Sequence, residues 1–232
     1  MTTMETTDRP RVGRHLRLIG LSVAVLWLLA MIVTDGMQQG TTRNIITDGA
    51  AAQHTILGHQ GVIIAETIGS FYLSALLVVL RAQLRHAFRD GIAAAAVFGS
   101  TVLAAMVIVL GGAVSFAELT AAHHHNTSAL VTLGYLVAFA WSWEGAAWGF
   151  LLLSTGCAIL LTRTAPRWFG ISTLVLGVPV AAGVGAVLFW GLAPVWFAAL
   201  VLLLSRRTEA RPGTTPDDER LTTVEVGAST PR

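Results

Sequence analysis

Polar breaks divide the chain into six apolar stretches, each able to cross about 30 Å of hydrocarbon as a helix rising about 1.5 Å per residue, with tilt or thinning accommodating the shorter ones. They fall at 15–34, 61–81, 91–115, 141–162, 168–184 and 186–205. Backbone amides in lipid must find partners within their own element, so runs of this kind fold as helices. The expected fold class is therefore all-α, a polytopic integral membrane helical bundle of six transmembrane helices. The bundle occupies 15–205, between a cytoplasmic N-terminal tail over 1–14 and a disordered cytoplasmic C-terminal tail over 206–232. That last segment is rich in Thr, Pro, Gly, Asp and Glu and has nothing to bury.

Composition carries the same message. Hydrophobic residues make up 54% and charged residues 12% of the 232 residues, about half the charge a water-facing domain carries. A cytosolic enzyme, a disordered regulator and a nucleic-acid-binding module are thereby excluded, and no nucleic-acid partner is expected. The lone cysteine, Cys157, allows no disulfide within the chain and no multi-Cys metal centre, and is expected to be a buried, inert thiol. Arg9, Arg11, Arg14 and Arg17 ahead of an apolar run invite comparison with a signal peptide. The run is longer than a typical signal core, no small-x-small cleavage site follows cleanly, and further spans come after it, so it reads as a retained first helix.

Arginine fixes the expected orientation. With the N-terminus inside and six crossings, 14 of the 15 basic residues face the cytoplasm and only Arg43 faces outward. The stretch from Ser128 to Thr162 is long enough for two thin crossings, which would make seven spans. A second crossing there would carry Arg163 and Arg167 outside, so one crossing is expected, starting near Trp141 and Trp143. Residues 128–140 are then an interfacial helix, a helix packed on the outer mouth or an extension of the fourth helix. Gly183 and Gly185 are expected to break the chain between the last two spans, and Pro194 to kink the sixth. The expected location is a bacterial cell inner membrane, multi-pass, with both termini cytoplasmic.

Glu66 is the residue with most to say about function. It lies inside the second span, where an ionised carboxylate facing lipid costs a few kcal/mol, so it is expected to point inward. At helical spacing it shares a face with Ser70 and Ser74, a polar stripe fit to line a water- or solute-filled space. The same carboxylate could instead fix packing near the outer headgroups. Glu144, in the run Trp-Ser-Trp-Glu-Gly, approaches the same side of the membrane; the two glutamates meet if their helices are neighbours, and otherwise Glu144 faces water. Two carboxylates brought together in low dielectric repel, share a proton or recruit a cation.

His123, His124 and His125, with Glu118 before them and His54 and His59 in the other long outer loop, form the nearest thing to a metal constellation. Consecutive histidines cannot all point one way, so a weak surface metal site competes with a plain solvated loop. Gly145 and Gly149 form GxxxG, a spacing that lets backbones approach within the chain or between copies. The sequon Asn126-Thr127-Ser128 lies on the outer side, but an Ala-rich chain whose bases are all Arg reads as bacterial, where the sequon goes unused. Paired cytoplasmic-side aspartates, lysine for Schiff-base chemistry and a GxSxG nucleophile are missing, which argues against an enzyme, and no cofactor is implied.

Gly149–Gly156, then Leu160-Leu-Thr-Arg-Thr-Ala-Pro-Arg-Trp-Phe-Gly170, then Leu174–Gly177, resembles the C-terminal half of a bacterial family of multi-spanning membrane proteins of unknown function. There a helix ends in Arg, a short loop carries Pro-Arg-Trp-Leu-Gly, and a Gly-containing helix follows; Phe169 stands here for the Leu. The resemblance covers about 30 residues. It implies the six-span topology and supplies no activity. The functional expectation is thus a small transport or solute- and cation-binding component with an outward-facing polar pocket. The alternative is a non-catalytic structural or regulatory subunit, its glycine-rich helices packing against a partner membrane protein or a second copy.

Overall fold

The computed structural model describes residues 14–30, 48–88, 91–184 and 186–209, and the described residues are helical with no strand. We label the helices α1 (14–30), α2 (Gly49–Gly58), α3 (Gln60–Phe88), α4 (Ile92–His123), α5 (Thr127–Thr162), α6 (Arg167–Ala181) and α7 (Ala186–Glu209). Four of the helices contain a segment long and apolar enough to cross a membrane: Gln60–Ala82, Ile92–His123, Trp143–Thr162 and Phe189–Arg206. The chain is thus an all-helical protein with the character of a membrane protein.

Helix ends follow local chemistry. Asp48 caps α2 through its side chain, which accepts from the Ala50 and Ala51 amides, and Asn126 caps α5 by accepting from Ala129. Arg163 takes a left-handed conformation at the end of α5, and Pro166 then opens α6, where its missing N–H costs nothing. Gly183, at a φ of 81°, follows α6, so half of the expected glycine break is in place; Gly185 lies outside the described residues. Pro194 sits within α7, which continues past it to Glu209, several residues into the expected tail. The remainder of both tails, 1–13 and 210–232, lies outside the described residues, as does Arg43.

The ambiguous stretch is settled: 127–162 is one unbroken helix, so 128–140 extends the fourth expected span and is no separate crossing. Likewise α4 runs on to His123, well beyond the expected end at 115. The expected outer loop before the second span carries a helix of its own, α2, with His54 on it and His59 at its C-terminal cap.

Adjacent long helices pack as antiparallel pairs. Between α3 and α4, Thr67 donates to the Gly112 carbonyl at 3.3 Å and Ser74 to that of Ala105 at 3.0 Å. Between α4 and α5, the Ser100 and Ser154 hydroxyls are 2.7 Å apart. The α5–α6 hairpin closes on small residues: a Cβ on Gly149 would lie 2.3 Å from the Ala181 backbone, and one on Gly156 would lie 3.0 Å from the Gly170 carbonyl. Small residues let TM-type backbones approach this closely, and here they do so inside one chain. Helix α1 pairs with α7, where Arg17 donates to Ser205 at 2.8 Å.

Two buried apolar clusters result. The larger runs through the bundle and centres on aromatic rings: Trp27 and Trp148 meet edge to face at 4.5 Å, with Phe189, Trp190 and Phe197 around them. The smaller, built from Ala52, Ile56, Ile63, Leu119, Ala121, Ala122 and Leu130, joins α2 to the ends of α3, α4 and α5. Helix α2 thus caps the end of the bundle that carries the α4–α5 turn. Gln53 fastens it there, donating to the Ala122 carbonyl at 3.0 Å and meeting the His125 ring.

Cys157 is exposed, contrary to the buried thiol expected. An apolar run on a span surrounds a thiol with lipid as readily as with protein, and the sequence does not separate the two.

Candidate functional site

The antiparallel alternation sorts charge between the two ends of the bundle. Among the described residues every arginine lies at one end: Arg14 and Arg17 start α1, Arg81 and Arg85 close α3, Arg163 and Arg167 flank the α5–α6 loop, and Arg206 and Arg207 end α7. Arg81 there stacks over the Phe98 ring at 3.1 Å, holding its charge against the start of α4. Toward the other end stand three glutamates on three different helices: Glu66 on α3, Glu118 on α4 and Glu144 on α5.

The interhelical hydrogen bonds give their heights. The Thr67–Gly112 and Ser74–Ala105 pairs set Glu66 level with Ala113 of α4, and the Ser100–Ser154 pair sets Glu144 near Leu110. At about 1.5 Å per residue the three climb the bundle as a stair. Glu144 is deepest, Glu66 stands about 5 Å above it, and Glu118 about 8 Å higher, just under the α2 cap. Glu66 stands between the other two.

Each carboxylate has a different setting. Glu144 is half-buried and accepts from two indoles, Trp190 Nε1 at 3.2 Å and Trp148 Nε1 at 3.4 Å. It thereby ties α5 to α7 beside the aromatic cluster. Glu66 is half-buried on α3. Glu118 is 8% exposed, and its Oε1 is fully buried with no hydrogen-bond partner among the described residues. A buried acceptor left without a donor is costly, by a few kcal/mol in general, which makes this oxygen the least settled polar atom of the three.

The serines go elsewhere. Ser74 is buried and spends its proton on the Ala105 carbonyl, and Ser70 packs against Gly112, where an added Cβ would lie 2.9 Å away. Both take part in the α3–α4 contact, together with Thr67. Gly149 serves the α5–α6 seam, and Gly145 is buried one turn before it.

The histidines do not assemble into a ligand set. His123 ends α4, His124 is its cap and His125 has a φ of 54°, so the three rings diverge; His125 is held by Gln53. Among the described residues no group of three His, Cys, Asp or Glu side chains is arranged to hold a metal ion. Beside the turn, a groove of about 530 Å³ opens between α4 and α5, lined by Phe116, Ala117, Thr120, His124, Asn126 and Leu133 among others.

Glu118 is the member that sequence reasoning placed wrongly. It was grouped with the histidines of a polar loop, whereas α4 continues through it and turns it inward. The signal available was the Ala-Glu-Leu-Thr-Ala-Ala run, strong in helix formers and free of breakers. The chain matches no protein-family model, no curated protein and no solved structure.

Proposed function

We propose that the chain is a six-span membrane protein of transport type that binds a cation at the glutamate stair. The observation that carries this reading is the position of Glu66, between Glu118 and Glu144 in height, while every described arginine lies at the opposite end. Three acidic groups in a low-dielectric setting, with no arginine among the described residues beside them, repel one another, and a bound cation or shared protons relieve that repulsion.

In this reading α1 and α6 cross as well as the four long helices, and α2 rests on the outer surface. The arginine end faces the cytoplasm, which suits the bias of basic residues toward the inside. The bilayer then runs from the level of Arg81 and Phe98 to about that of Glu118, some 30 Å along α4. The glutamates occupy its outer part, beneath α2. The glycine contacts that would support a structural subunit are used between α5 and α6 of one chain, which leaves the cation-binding reading the better supported.

The test is flux. In vesicles reconstituted with the full chain, a proton or sodium gradient across the membrane should drive cation movement, and Glu66→Gln should abolish it. Coupling unchanged in the Gln variant would defeat the reading.

A further inference from the structure

The three glutamates stand at successive heights with Glu66 between the other two, and the surroundings of Glu118 and Glu144 differ. Glu144 already receives two indole N–H donors, so its charge is solvated by the protein. Glu118 has no such donor among the described residues, and its Oε1 is buried without a partner there. A cation gains most where the oxygens have no other source of positive charge.

We infer that the seat of the cation is the Glu66–Glu118 pair, and that its occupant is a single monovalent cation bound by carboxylate oxygen, a proton or an alkali-metal ion. The inference rests on the cation-binding reading above and places its ligand within the stair. A divalent metal fits less well, since no three acidic or imidazole groups among the described residues converge on one point. Binding brings one positive charge to the pair, with no bond to carbon formed or broken.

Other titratable groups on the elements around Glu118 are few. Glu66 comes from α3 and Glu144 from α5; His54 and His59 of α2, and His123 at the end of α4 itself, are exposed. His125, tied to Gln53, belongs to the cap.

The test uses the full chain in lipid nanodiscs with two probes, radiolabelled sodium and the apolar reagent dicyclohexylcarbodiimide, which modifies protonated carboxyls. Labelling of Glu118, located by mass spectrometry, is expected in the wild type. Protection by sodium identifies an alkali ion as occupant; labelling indifferent to sodium and lost on going to alkaline pH identifies a proton. Either result supports the seat. Glu118→Gln should weaken cation binding about tenfold or more, as expected for the loss of a charged partner, and more than Glu144→Gln does. Glu118→Asp, which keeps the charge and shortens the reach, should fall between wild type and Gln, and decides the matter should the Gln variant not fold. Wild-type affinity in both Glu118 variants, alongside loss in Glu66→Gln, would move the seat to the Glu66–Glu144 pair and leave the cation-binding reading standing. Wild-type affinity in all the variants would remove both.

Discussion

Substituting Gly149 by alanine tests how tightly α5 and α6 are locked. The new Cβ would lie 2.3 Å from the Ala181 N and Cα atoms and 2.4 Å from its Cβ, and two of those three atoms are backbone. Carbon atoms rest at about 3.5–4.0 Å, so the helices must separate locally by more than about 1 Å. No rotamer change can supply that distance, because a backbone cannot swing aside. Neighbouring contacts would loosen with it, including those of Gly156 and Gly177 further along the same seam. Overpacking of this kind costs about 1–3 kcal/mol. For a chain of this size that lowers a thermal midpoint by roughly 2–12 °C. The natural control is Gly111→Ala on α4, where a Cβ would meet nothing within 4 Å and helix propensity favours alanine by about 0.5–1 kcal/mol. Melting of the two variants in one detergent, followed by tryptophan fluorescence, should move the midpoints in opposite directions. Equal midpoints for Gly149→Ala and wild type would refute the seam.

Trp190→Phe removes one of the two donors to Glu144 and keeps most of the ring; it should destabilise the protein by about 1–3 kcal/mol in the same assay, and a neutral result would mean the indole bond carries no weight. Reporter fusions should place the 163–166 loop in the cytoplasm and the 124–126 turn outside, on the basis of the arginine distribution; the reverse assignment would invert the proposed map.

What the sequence made legible was the part governed by composition. Uninterrupted apolar runs announced membrane helices, and the arginines sorted themselves to one end of the bundle among the described residues. Glu66 and Glu144 were found because a carboxylate inside an apolar run is conspicuous. Glu118 reads with the histidines rather than with the other glutamates because polar neighbours make its segment look like a loop, while the backbone there has no reason to stop being a helix. Ser70 and Ser74 show the limit of such a reading: sharing a helical face with Glu66 says which side chains point together, but not whether water or another helix is waiting there. The meeting of Trp148 with Trp27 joins residues far apart along the chain, which no local pattern announces.

The turn between α4 and α5 has a practical side. Only His124, His125 and Asn126 separate two helices of 32 and 36 residues, and α2 braces the junction through Gln53. A small helical domain spliced into that turn in continuous register with both helices would be carried without play. It would give electron microscopy of a 24.5 kDa chain the fiducial mass that so small a particle lacks.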